Sequence, residues 1–212
     1  MEAPAGSIWI INPDELSKRI AAHEHLPLNP DANIEAITRI EAWLYASIAT
    51  HQTVGVETVL STGKYRALVD AAHGQGFRVR LIYVFLRSAD LNVERVRIRV
   101  SKGGHDVAEA SIRDRRRRSF EQLSWFFEHA DQVDIYDNTA AEPELVVSKA
   151  DGDLTIYGAL IPELSAALEA AVPELRVALE AEGIDLARAK PGRRSASRRR
   201  RRRRAKARKA AG

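Results

Sequence analysis

The arginines between positions 95 and 118 are the residues best suited to chemistry. Arg95, Arg97 and Arg99 stand before a Gly-Gly-His-Asp turn at 103–106, and Arg113 with the run 115–118 stands after it. A guanidinium presents its donors in a fixed fork that matches phosphate oxygens two at a time. Two helical segments meeting at paired glycines therefore fit a lid that closes over a phosphorylated ligand. The same charges fit a solvated face equally well. Residues 115–118 must also point around their helix: Arg113, Arg116 and Arg117 share one face, Arg115 and Arg118 another, and only one face can look at a ligand. Two carboxylates join the set. Glu57 lies in an otherwise apolar strand pattern, where an acid is costly unless paired or exposed at an edge, so it is a stronger candidate than a surface acid. Asp14 follows a short apolar run and fits either a reactive carboxylate or a helix cap. His105 fits a hydrogen bond across the glycine turn as well as it fits a ligand. His23 and His25, two apart, do not share a helical face and make no metal site.

These side chains need a scaffold, and the apolar pattern supplies one. Residues 7–11 (SIWII) read as a buried strand, followed by a polar loop and a helical segment from Pro13. A long amphipathic helix starts at Asp31, with apolar residues recurring at spacings of three and four. Residues 53–60 read as a strand with Glu57, Thr58 and Ser61 at its exit, and 61–76 as a helix stopped by glycine. FRVRLIYVFL at 77–86 is the strongest strand, its polar alternation giving way to the continuous apolar run of a buried parallel strand. The arginine hairpin follows. Residues 133–138 form another strand, and 144–149 with 153–157 form a hairpin across Ala150-Asp151-Gly152. A last helical stretch, 161–182, is broken or kinked at Pro173. Strands alternating with helices predict an α/β three-layer sandwich with a mostly parallel sheet.

The chain has 212 residues, enough for one domain with a real core, and no cysteine, which excludes disulfides and thiolate metal sites. No run has transmembrane length and no signal peptide is apparent, so a cytoplasmic protein without a membrane partner is expected. The net charge of +4 hides two opposite parts. Residues 191–212 hold ten Arg and two Lys and no acid, while the rest carries 21 basic against 29 acidic residues, a balance of −8. The tail includes seven consecutive arginines at 198–204. Such a segment is expected to be disordered and to bind nucleic acid non-specifically through counterion release. It has no aromatic residue on which a base could stack.

Taken together, NPDEL, VGVETVLS, FRVRLIYVFL, RVRIRVSKGGHDV, IRDRRRRSF and VDIYDNT resemble the zeta-toxin-like P-loop kinases. The resemblance spans roughly residues 8–139, about two thirds of the chain, and GGHDV before an arginine-rich helix is its most specific part. It implies a kinase domain over 1–139, a hairpin and helices packed on it over 140–190, and the tail over 191–212. It also implies ATP-dependent phosphoryl transfer, with Mg²⁺, to a hydroxyl of a small-molecule acceptor. By position, Asp14 would stand beside that hydroxyl as base or orienter, with Arg99 and Arg115 stabilising the transferring charge. Glu57, Thr58 and Ser61 would bind the acceptor. His105, Arg113, Arg116 and Asn138 would bind the nucleotide. The resemblance adds an antitoxin protein as a candidate partner.

One motif of that family is missing. Its phosphate-holding Gly-x-x-x-x-Gly-Lys-Ser/Thr loop has no counterpart in residues 1–212. The single Gly-Lys pair, Gly63-Lys64, follows the wrong strand, with Thr58 where the first glycine belongs and Tyr65 where Ser or Thr belongs. The missing strand would be central in the sheet, so its loss would leave neighbouring edges unpaired. A start codon assigned too far downstream is the first explanation expected; a non-catalytic relative and a rearranged sheet are the others. The chain as written is expected to bind ATP poorly. A non-catalytic nucleotide- or nucleic-acid-binding relative is the alternative function.

Overall fold

The computed structural model describes residues 9–12, 15, 16, 19, 22, 23, 30–104 and 106–173. Strand β1 (Trp9–Ile11) pairs in parallel with β2 (Val54–Val56). Helix α1 (Pro30–Ala49) connects them, burying Ile40, Leu44 and Ile48 at helical spacing. After β2 the chain passes through α2 (Arg66–Gly74) to β3 (Arg80–Phe85). Helices α3 (Ala89–Ser101) and α4 (Glu109–His129) precede β4 (Gln132–Asp137). Strands β5 (Glu144–Ala150) and β6 (Asp153–Ile156) and helix α5 (Pro162–Ala171) complete the described fold.

The architecture is mixed α/β, but the strands form two sheets. One holds β1 and β2; the other has the order β3-β4-β5-β6. β3 and β4 are parallel, while β4–β5 and β5–β6 are antiparallel, so two of the three pairings in this sheet are antiparallel where a mostly parallel sheet was expected from sequence. The β5–β6 turn is the expected one: Asp151 and Gly152 both have positive φ, 53° and 87°, the conformation a two-residue hairpin requires.

Leu123 and Phe127 of α4, Val133 and Ile135 of β4, Val147 of β5 and Leu164 and Leu168 of α5 are all fully buried. Tyr83 and Phe85 of β3 face this core, where both rings meet Phe120 edge-on. The same core cluster includes Leu60, Tyr65 and Val69, with Val54 and Val56 packed against it, so one core underlies both sheets.

Several boundaries differ from the sequence-based expectation. β2 ends at Val56, because 57–60 turn away from the strand: Leu60 has a φ of 56° and its N–H donates to Thr58 Oγ1. α2 begins at Arg66, leaving 61–65 as a turn. The last helix ends at Ala171, before Pro173, and residues 174–182 of the expected 161–182 helix lie outside the described residues, as does the 191–212 tail. β3 is not buried on both faces. Ile82 and Val84 are 57% and 53% exposed on the face opposite Tyr83 and Phe85. No helical layer covers them among the described residues, so the three-layer expectation fails at β3. Its edge away from β4 has no partner strand among those residues, and neither has the edge of β2 away from β1.

Candidate functional site

The carboxyl ends of β1 and β2 bring two polar side chains together. Asn12 Nδ2 donates to Glu57 Oε2 at 2.8 Å, and the Glu57 N–H donates to Ile11 O at 2.9 Å. Asn12 Oδ1 accepts the Glu15 N–H at 3.1 Å while its carbonyl accepts the Leu16 N–H at 3.0 Å, the bonding of an N-cap residue. The cap weighed for Asp14 is therefore supplied by Asn12; Asp14 lies outside the described residues. Glu57 is exposed at the strand exit, as an acid in an apolar strand must be if it is not buried with a partner. Thr58 is occupied in the turn to Leu60, and Ser61 is half-buried at the start of the 61–65 turn.

The arginine hairpin is built from a capped helix, a glycine stop and a set of internal ion pairs. α3 is capped by Ser88, whose Oγ accepts the Leu91 N–H. It ends in a pair of bonds, Gly103 N–H to Val100 O and Gly104 N–H to Arg99 O, both 2.9 Å. This is the Schellman arrangement that closes a helix. Gly103 has a φ of 85°, and a Cβ on Gly104 would stand 2.8 Å from Arg99 O. The paired glycines are thus explained by a helix stop. His105, next in sequence, lies outside the described residues.

Most of the hairpin arginines have anionic partners within the protein. Arg97 pairs with Glu109 at 3.1 Å, and Arg113 pairs with Asp90 at 2.6 Å and Glu109 at 2.7 Å. Arg117 pairs with Asp114 and Glu121, and Arg118 with Asp114 at 3.0 Å. Arg116, with an 8% exposed side chain, donates to Leu86 O, Asn92 Oδ1 and Glu163 Oε1 and lies over the Phe120 ring. These contacts tie α4 to α3, to α5 and to the residue that follows β3. Arg99 supplies the carbonyl that closes α3, and its side chain packs beside Gly104. Arg115 is exposed with no ion pair among the described residues. A cavity of about 570 Å³ between α4 and α5 is lined by Arg113, Arg116 and Arg117, confirming their shared face, together with Phe120 and alanines of α5.

At the end of β4, Asn138 is held by its backbone: its N–H donates to Phe85 O and its carbonyl accepts from Arg95. Its neighbour Asp137, not singled out in the sequence, is the buried charge of this edge. Burial pushes its pKa up, but the Thr139 hydroxyl, the Arg87 guanidinium and the Thr139 N–H outweigh that and hold it below the usual carboxylate range. The alternation of β4 places Asp137 on the core side with Val133 and Ile135, a signal present in the sequence.

No family model and no solved structure matches the chain. An uncharacterized protein of Haemophilus influenzae is similar to it, 28% identical over 107 residues, which is 50% of this chain and 73% of that protein. Likeness at this level names no activity. Among the described residues no group of three or more His, Asp or Glu could hold a metal ion, and no helix is long and apolar enough to cross a membrane.

Proposed function

We propose that the chain is a zeta-toxin-like small-molecule phosphotransferase of the P-loop kinase class, keeping the acceptor side of the site and lacking the phosphate loop. Residues 1–212 by themselves then transfer phosphate from ATP poorly or not at all. The observation that supports this reading is that, among the described residues, neither the β2 edge away from β1 nor the β3 edge away from β4 has a partner strand, while one core underlies both sheets. A self-contained fold protects such edges by pairing, covering or charging them. Removing the family's central strand would leave two edges of this kind.

In this reading Glu57 accepts a hydrogen bond from the acceptor molecule, and Asp14 takes the proton of the attacking hydroxyl. The hydroxyl oxygen forms a bond to the γ-phosphorus as the bond to the β-phosphate oxygen breaks, releasing ADP. ATP with Mg²⁺ supplies the phosphoryl group. With most of its arginines already paired to carboxylates, the hairpin offers Arg115 as its most available guanidinium.

Calorimetric titration of Mg-ATP into residues 1–212 is expected to show no micromolar binding. A chain that carries the phosphate-loop strand ahead of these residues is expected to bind Mg-ATP and to transfer phosphate. Absence of binding by that longer chain, or micromolar binding by 1–212, refutes this account. The acid pairing of the arginines favours a second reading, a non-catalytic relative that uses the 191–212 tail on nucleic acid. In that case truncation after Lys190 abolishes nucleic-acid binding; binding that survives places the contact elsewhere.

A further inference from the structure

We infer that Asn12 is a positioning residue that fixes Glu57 as a hydrogen-bond acceptor with one oxygen left for a ligand. The polarity of the Asn12 amide fixes which of its atoms faces Glu57. Asn12 Oδ1 accepts a backbone N–H, from Glu15 at 3.1 Å, and a backbone N–H can only donate. This sets the amide orientation, which distances alone do not assign. Nδ2 must then be the atom facing Glu57, and an NH₂ group can only donate, so Oε2 of Glu57 accepts at 2.8 Å. The main chain reinforces the geometry, because the Glu57 N–H is bonded to Ile11 O, one residue before Asn12. Backbone and carboxylate of Glu57 are thus both tied to the end of β1.

Oε1 of Glu57 has no partner among the described residues, and the side chain is exposed. A carboxylate held by one oxygen presents the other as an acceptor, so it selects a group that donates: a hydroxyl or an ammonium, not a phosphate or carboxylate. This rests on the acceptor-binding reading for what approaches Oε1, but the Asn12–Glu57 geometry stands without it. Asn12 thereby has two separable duties, capping the turn at Glu15–Leu16 with its oxygen and orienting Glu57 with its nitrogen.

Asn12→Ser separates them. Serine caps about as well as asparagine but is too short to reach Glu57. In ¹H–¹⁵N spectra of the full chain, the Asn12 side-chain amide protons are expected downfield of free-amide positions and slowed in exchange with water. Glu57→Ala should return them to free-amide positions. Asn12→Ser should leave the thermal midpoint within about 2 °C while the Glu57 side-chain carbons become rotamer-averaged. Asn12 amide protons at free-amide positions in the unaltered chain overturn the inference, and so does a Glu57 that stays ordered in Asn12→Ser. Neither readout depends on ATP binding or turnover, so failure here is distinct from failure of the phosphotransferase reading.

Discussion

Lys149 sits on β5, yet it closes the carboxyl end of α4. Its Nζ donates to Phe127 O at 2.6 Å, Glu128 O at 2.9 Å and Ala130 O at 3.0 Å, and lies over the Phe127 ring. The last carbonyls of a helix have no partner within it and carry the negative end of its dipole. Replacing Lys149 by Met keeps the aliphatic stem and removes all three bonds. A hydrogen bond from a charged donor contributes about 1.5–3 kcal/mol, and three that share one ammonium fall well short of three times that. Burial opposes the charge and lowers the Lys149 pKa, although Asp131 and Glu128 pull it up. The net loss expected for Lys149→Met is therefore about 2–4 kcal/mol. For a domain of this size that lowers the thermal midpoint by about 5–12 °C. Calorimetry or helical ellipticity against temperature at pH 7 measures it. Lys149→Arg should recover less than half, because a planar fork cannot aim at three carbonyls around a helix end. A drop below about 2 °C for Lys149→Met would refute the cap as an energetic feature.

Three further outcomes follow from neighbouring contacts. Ser119→Ala leaves the buried Tyr83 hydroxyl without its partner at 3.0 Å and should cost about 1–3 kcal/mol in urea unfolding. Adding Tyr83→Phe, which removes the stranded hydroxyl, should recover most of that. Burial already pushes the Tyr83 pKa up to about 12, with Ser119 opposing the shift. Gly104→Ala should cost about 1–3 kcal/mol, read as a lower urea midpoint, since its Cβ would meet Arg99 O at 2.8 Å. Asp131 is held below the usual carboxylate range chiefly by the Val79 N–H, against burial, with His73 helping. Its contribution is fully present above the unfolded carboxylate pKa of about 4 and is lost as pH falls through the lower folded value. Asp131→Asn should therefore flatten the acid limb of a stability–pH curve; an unchanged slope contradicts the assignment.

Much of the scaffold was legible because it follows local rules. The strand runs at β3 and β4, the Asp151-Gly152 turn and the apolar spacing of α1 each read directly onto an element. The arginine pairs within α4 were legible too, since Arg113–Glu109 and Arg117–Glu121 are four residues apart. The pairs that decide what the hairpin does were not. Asp90 meets Arg113 across the α3–α4 corner, and Glu163 meets Arg116 from another helix, at separations no local pattern encodes. The Gly103-Gly104 pair reads from sequence as a hinge between two helices, and its bonds to Val100 and Arg99 show that it also closes the first of them. The exposure of Ile82 and Val84 was hidden because an apolar run looks alike in a strand covered on both faces and in one covered on a single face.

That open edge bears on how the protein behaves as a material. From Leu81 to Phe85 it holds no charge and no proline, the residues that keep sheet edges from adding strands. Such a stretch has the composition of segments that stack between molecules. Its solution state should depend steeply on concentration, turning cloudy while the helical core around Leu123 and Phe127 is still folded. A lysine placed at Val84, on the exposed face, would raise that threshold without touching the core, and light scattering would show it before any change in melting.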